Sequence, residues 1–412
     1  MLRYIGSFIV LGLLAGCTGS QAGNPGSALP APLVRPGHPA TSRQTGPVES
    51  ILYSFGSSQP DALEPIASLV YIGKTLYGGA VASTSQNKYG TIFGITRSGG
   101  AETVLHTLTK GQGTRLNGIS LGPNSAGKEK TLYGLGNGSL GYTNGTVVKV
   151  SRTGRVTILY SFKGGTDGET PLGHLITVNG TLYGTTDLGG NNPGCTYYCG
   201  TVFSITSGGS ESVLHRFGAG SDGTSPTGTL LEYNGTLYGT TSSGGTINEG
   251  TVFSVSPSGN EKVLYSFKYG PSDGQNPNDG LIEVGGILYG TTSNGGTGPY
   301  CPGGCGVFYS ITTSGVEKVL HDFGNGHDGQ TPNALTYFNG AIYGTTATGG
   351  SHNTGTVFRI SPSGHETVIY NFGVGTDGRI PSGALIGLGR TLYGVTGGGG
   401  AFGDGTLFSI TL

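Results

Sequence analysis

The chain of 412 residues contains no tryptophan, one methionine and few charged side chains, and its net charge is −1. Sparse, balanced charge leaves no electrostatic footprint for nucleic acid or for an anionic membrane surface. Without tryptophan, the tandem indole stacks of quinone-dependent enzymes cannot form. Also absent are HExxH, GxSxG, an EF-hand loop, a sialidase-like Asp box and a phosphate-binding glycine loop. The glycine-rich stretches precede strand-like runs rather than helices, so none reads as a nucleotide cradle. No window carries helical periodicity.

Glycine is abundant instead, with 84 residues interleaved among Leu, Tyr, Val and Phe in short apolar runs. That pattern is typical of a turn-rich all-β protein. The first residues differ. "MLRYIGSFIVLGLLAGC" has one basic residue, Arg3, and an apolar stretch too short to span a bilayer, closed by Leu14-Ala15-Gly16-Cys17. It resembles the lipobox of bacterial lipoproteins, which implies a signal peptide over 1–16 and lipidation of Cys17. Thr18 after the cysteine, where Asp would retain the protein, implies sorting to the outer membrane. Residues 17–47 are rich in Gly, Pro, Ser and Ala and cannot bury enough surface to offset chain entropy, so they are expected to form a flexible tether.

From residue 48 onward the sequence repeats. The tyrosine of an LYG motif recurs at Tyr77, Tyr133, Tyr183, Tyr238, Tyr289, Tyr343 and Tyr393, at intervals between 50 and 56. Each unit holds four strand-like runs, as in LGHLITV, TLYGTT, GTVFSIT and ESVLHRF within 172–217. Asn-Gly between the first two is a strong hairpin signal. Seven four-stranded units, apolar on both faces, predict a seven-bladed β-propeller over 48–412. An open solenoid would need capping ends, and none is visible. The last unit stops at Leu412 without its fourth strand, whereas the folded region begins with a surplus one, Ser50–Phe55. The N-terminal strand is therefore expected to complete the seventh blade and close the ring, removing an exposed edge.

The recurring LIxxNGxLYGTTxxGGxxxxGTVFSIxxSGxExVLYSF resembles the GloVer tandem repeat of exported bacterial proteins, over roughly residues 48–412. The resemblance implies a propeller-like, extracytoplasmic body and brings no established activity with it. The second unit departs most, with LYGLG for LYGTT, GTVVKV for GTVFSI and no Asp-Gly in its lead-in.

With strands labelled a to d from the axis outward, the a–b and c–d turns share one face, and the longer b–c and d–a loops share the other. Function is expected on the second face. Five d–a loops carry Asp-Gly-x-x-Pro, beginning at Asp167, Asp222, Asp273, Asp328 and Asp377; a sixth, at Asp61, keeps Asp and Pro. One reading is a turn in which Asp accepts backbone N–H bonds, Gly supplies positive φ and Pro sets the next blade. The other is a carboxylate ring for Ca²⁺ or a cationic ligand. Cys195 and Cys199, then Cys301 and Cys305, lie in the b–c loops of blades 3 and 5. In an exported protein they are expected to form two local disulfides, against a zinc site that would need the pairs to meet. His106, His215 and His321 stand where VLYSF has Tyr and read as outer-strand packing.

The same loops hold Asn191, Asn192, Tyr197, Tyr198, Tyr300 and His352, aromatics beside amides that suit carbohydrate or peptide contact or simply pack on their own loops. A polysaccharide hydrolase or lyase would draw on Asp222, Asp273, Asp328, His327 and Arg379. A spacer or assembly scaffold would need none of these. The expected role is binding of a glycan, a peptide or another envelope protein, on a body attached to the membrane through its lipid alone.

Overall fold

Two motifs of the repeat meet across a hydrogen-bonded ladder, and each explains a residue in the other. In the third unit Gly184 of LYG lies opposite Phe203 of GTVF. A Cβ on Gly184 would stand 2.7 Å from the phenylalanine Cζ, so the glycine is there because the ring lies on it. Two residues on, the Thr186 and Thr201 hydroxyls pair at 2.9 Å in the buried interior, and Thr201 N–H donates to Thr186 Oγ1. The same Thr–Thr contact recurs at 241/251, 346/356 and 396/406. Buried hydroxyls must be satisfied, and here each satisfies the other.

In the computed structural model the described residues are 47–57, 60–66, 68–83, 89–123, 131–138, 143–193, 195, 199–268, 270–301 and 303–412. The expected signal peptide, Cys17, the expected tether up to residue 46, Tyr197 and Tyr198 lie outside them. The described body is all-β apart from one 3₁₀ turn, Gly165–Asp167. It forms seven antiparallel four-stranded blades, such as Glu169–Val178, Thr181–Leu188, Thr201–Thr206 and Glu211–Arg216 in blade 3. In blades 4 and 5 the a–b pairing is split by an interruption, leaving two-residue ladders at Gly223–Thr224 and Gly274–Gln275. All seven c–d pairings share one register irregularity, as between Val202 and Phe203.

The core is divided into seven apolar wedges, each lying between neighbouring blades. The VLYSF phenylalanine drives most of them. Phe217 of blade 3 meets Phe253 of blade 4 at a centroid distance of 4.9 Å, and equivalent pairs occupy six junctions. Such pairs add about 0.5–1.5 kcal/mol to the burial of two rings.

The ring closes as expected. Val48–Ser54 pairs antiparallel with Thr406–Thr411, from Val48 opposite Thr411 to Ser54 opposite Thr406. Near the axis, Ser382 Oγ donates to the Pro65 carbonyl at 3.0 Å, and Ala384 N–H donates to Ser68 Oγ at 2.8 Å. Strand hydrogen bonds at the rim and side-chain bonds at the hub thus join the two ends of the chain.

One expectation is corrected. Positive φ in the Asp-Gly-x-x-Pro loops belongs mainly to the residue before proline: Thr170, Ser225, Asn276, Thr331 and Ile380, with Glu64 in the sixth loop, all between 51° and 56°. Of the Asp-Gly glycines only Gly168 has it. In the other four loops glycine is required by space, since a Cβ on Gly274 would meet the Thr292 side chain at 2.5 Å. The left-handed residue donates its own N–H back to the preceding blade, as in Thr331 N–H to the Cys305 carbonyl at 2.8 Å. The following proline then lies on the GTVF glycine of that blade, as Pro332 does on Gly306.

Candidate functional site: the loop face and the central channel

The d–a aspartates do not point a free ring of charge at solvent. Asp273 is buried; its Oδ1 accepts Gly274 N–H at 2.7 Å, and its Oδ2 accepts the Tyr265 hydroxyl at 2.8 Å and Lys268 N–H at 2.9 Å. Asp377 repeats this with Gly378, Tyr370 and Gly373. Asp167 accepts from Tyr160 and Lys163 N–H. In blades 3 and 5 histidine replaces tyrosine: His215 Nε2 meets Asp222 Oδ2, and His321 Nε2 meets Asp328 Oδ2, each at 2.9 Å. A calcium ion in these loops would have to displace bonds that already fix the turn.

A glutamate from the next blade's outer strand completes each group. The six sets are Tyr160–Asp167–Glu211, His215–Asp222–Glu261, Tyr265–Asp273–Glu317, His321–Asp328–Glu366, Tyr370–Asp377–Glu49 and Tyr53–Asp61–Glu102. Burial, and then the facing Asp carboxylate, pushes Glu261, Glu317 and Glu366 up to about 7. Glu102, the most enclosed, reaches about 9. Protonated at neutral pH or close to it, these carboxyls can face an aspartate without like-charge repulsion. The two histidine sets bring three ligand atoms within 4.8 Å and have the residue types for a transition metal. Tyrosine makes the same bond to aspartate in the other four, so the fold itself accounts for the arrangement.

The disulfides Cys195–Cys199 and Cys301–Cys305 are formed, so the paired cysteines staple their own loops rather than sharing zinc. They hold the carbonyls of Cys199 and Cys305, which receive the left-handed N–H groups of Ser225 and Thr331. Of the remaining sequence candidates, Tyr300, His327, His352 and Arg379 are exposed on the loop face of blades 5 to 7 and belong to none of the junction groups.

Sequence reasoning missed the hub. The a-strands of all seven blades line a central cavity of about 450 Å³. Two places after the loop proline, blades 3, 4 and 7 have Gly173, Gly228 and Gly383 and blade 5 has Asp279. In blade 6, one residue shorter here, Asn333 holds that place, its carbonyl accepting the Thr291 hydroxyl as the Asp279 carbonyl accepts that of Thr240. One place further on, Ser68, Thr229, Gly280 and Ala384 stand in other blades where blade 3 has His174. Aligning the units on this proline would have revealed both departures. Small residues are needed here because the strands interlock: a Cβ on Gly228 would lie 2.6 Å from the Asp279 carbonyl carbon. Burial among these strands pushes the Asp279 carboxyl up to about 6 and holds the His174 imidazole below its usual range. His174 Nδ1 meets the Ile119 carbonyl at 3.3 Å. A carbonyl only accepts, so Nδ1 carries the proton and Nε2 remains an acceptor.

Comparison with known proteins follows the fold. The chain is similar to the extracellular domain of a hybrid two-component system from B. thetaiotaomicron, at 13% identity and TM-score 0.53, over 84% of this chain and 40% of that one. It is also similar to a Bacteroides thetaiotaomicron protein of unknown function, at 13% identity and TM-score 0.44, over 87% and 100% of the two chains. A third likeness is to a Mycobacterium tuberculosis puromycin-hydrolyzing peptidase, at 12% identity and TM-score 0.47, over 81% of this chain and 50% of that one. At such identities the likeness concerns fold alone. No curated protein matches the sequence. The Gloeobacter/Verrucomicrobia repeat profile matches residues 64–302 and 300–412, nearly the whole propeller, and the chain belongs to that family.

Proposed function

We propose that this protein is a binding module of the bacterial envelope. Its signal peptide exports it, lipid on Cys17 tethers it to the outer membrane, and the loop face of the propeller meets a glycan, a peptide or another envelope protein. The observation that carries this reading is the difference between the two faces. The a–b turns are tight pairs such as Asn179-Gly180 and Asn339-Gly340. The loop face exposes Ile247, Tyr300, Val374, Ile380 and Phe402, with Tyr300 at 67% accessibility, against Val316 and Tyr337 on the turn face. Exposed apolar side chains among polar neighbours such as His327, His352 and Arg379 have the composition of a contact surface. The disulfides support both parts, since they belong to an extracytoplasmic compartment and stiffen two loops that frame this surface. The d–a aspartates, each committed to its own turn, offer no free carboxylate pair for glycoside chemistry.

Two measurements test the reading. Lipid labelling and membrane fractionation of the full chain should show an anchored form that Cys17→Ala abolishes. Binding to isolated envelope polysaccharide and to peptide arrays should weaken about tenfold or more in the Tyr300→Ala/Phe402→Ala double variant, with its melting temperature unchanged. Equal binding by the variant and the parent would sink the loop face as the contact surface.

A further inference from the structure

The hub contains one acidic side chain that the propeller does not use. Asp279 stands where blades 3, 4 and 7 have glycine and blades 2 and 6 have Asn117 and Asn333, and it lines the axial cavity. Its backbone is engaged, because the Thr240 hydroxyl donates to its carbonyl at 2.8 Å, but among the described residues its carboxylate has no hydrogen-bond or ion-pair partner. His174 is the other titratable side chain lining the cavity. Its ring lies against Gly118, where a Cβ would come within 2.8 Å of Nδ1, so a glycine in blade 2 makes room for it. Its backbone N–H donates to Thr229 Oγ1 at 3.0 Å, which places it firmly on the wall. Both departures from the repeat therefore add hydrogen-bond acceptors to one cavity, and no lining residue adds a cation.

We propose that the central channel is a receptor for a primary ammonium group on a small hydroxylated ligand of the amino-sugar class, with the Asp279 carboxylate as counter-ion and His174 Nε2 as second acceptor. This deepens the binding-module reading and rests on it. An ammonium brings three donors and one positive charge, matching a lone carboxylate and a neutral imidazole in a partly desolvated site. Around them Ser68 and Thr229 each accept one backbone N–H and keep a hydroxyl proton to donate, while Asn117 gives its amide N–H to the Pro171 carbonyl and keeps its Oδ1. These groups suit the hydroxyls of a sugar. The cavity falls within the range of about 300–1,000 Å³ typical of small-molecule sites. Binding requires the charged carboxylate, so affinity should fall as the pH drops below about 6, with His174 kept neutral by its burial.

The test is titration calorimetry on the full chain with glucosamine, N-acetylglucosamine, glucose, methylamine and calcium chloride. Asp279→Gly is the informative variant because it installs the residue that blades 3, 4 and 7 already carry, and its circular dichroism and melting curve will verify folding. Glucosamine should bind at least tenfold tighter than its acetylated form, which has lost the charge, and Asp279→Gly should remove that preference. Binding of calcium but no amine overturns the proposal, as does unchanged glucosamine affinity in Asp279→Gly. Methylamine binding as tightly as glucosamine overturns the sugar assignment. Loop-face binding by Tyr300→Ala/Phe402→Ala is read separately from these outcomes, so failure of the channel site and failure of the loop-face reading are distinguishable.

Discussion

Six of the seven blade junctions are built alike, and the one between blades 1 and 2 is not. A standard junction has an edge-on aromatic pair, a Tyr/His–Asp–Glu set, a left-handed residue before proline, and that proline seated on the GTVF glycine. At the exceptional junction Leu108 and Val148 stand in the aromatic positions, both fully buried in an aliphatic wedge with Ile92, Leu116 and Leu132. His106 Nε2 meets Gln112 Oε1 at 2.8 Å instead of an aspartate. Leu116 takes the proline's place, close against Gly90. The ring stays shut at both kinds of junction. What a blade junction requires is a filled wedge and satisfied backbone groups; the polar set is one solution, and branched aliphatics are another.

The largest effect should come from the aromatic pair. Phe217→Ala removes one ring from a fully buried pair and should cost about 3–5 kcal/mol in denaturant unfolding. Transplanting that ring is expected to fail: Leu108→Phe, facing Val148 in a packed wedge, should itself cost about 1–3 kcal/mol. If Leu108→Phe were stabilising, the two junctions would be variations of one design rather than alternatives.

Next come the staples. Cys199 and Cys305 supply the carbonyls that receive the following blades, so Cys195→Ser/Cys199→Ser loosens a standard junction from its loop side. A loop this short should contribute about 2 kcal/mol, read as a lower melting temperature that reductant reproduces in the parent protein.

The carboxyl pairs should give the standard junctions a pH dependence that the exceptional one lacks. Glu317 has a folded-state value of about 7 against an unfolded value of 4.5, raised by burial and by Asp273 and countered by Tyr265 and Lys268. A raised value means that the fold holds an extra proton between these limits. Its stabilising contribution is complete below pH 4.5, declines as the pH rises and is gone above 7. Glu317→Gln should therefore gain on the parent protein by about 1 kcal/mol between these limits, a figure reduced for partial solvent screening. Parallel unfolding curves at acid and neutral pH would contradict a shared proton at this junction.

The smallest effect concerns the turn before proline. Ile380 is β-branched and exposed, with φ at 56°, a conformation that costs such residues about 1–2 kcal/mol. Ile380→Asn, which copies Asn276 of blade 5, should stabilise by about 0.5–1 kcal/mol. Arg115 holds the matching place in blade 2 without positive φ, so Arg115→Asn should bring no such gain.

The strand pattern, the number of blades and the closing strand were all legible in the chain, because they rest on motifs that repeat every fifty-odd residues and on one strand missing at the end. The turn role of the aspartates was legible too, but the placement of positive φ was not. Glycine after aspartate looked like the flexible residue, whereas the ladder needed it for its missing Cβ and assigned the left-handed twist to the residue before proline.

Other features exist only in the assembled ring. Glu317 lies some fifty residues from Tyr265 in the chain, and only the packing of one blade's outer strand beside the next sets it against Asp273. Asp279 and His174 look like ordinary substitutions in two different repeats, more than a hundred residues apart. Their meaning depends on distance from an axis that no single repeat defines. Local sequence chooses the blade, because hairpins and apolar runs form from neighbouring residues; closing seven blades into a circle decides which side chains share a junction or a channel.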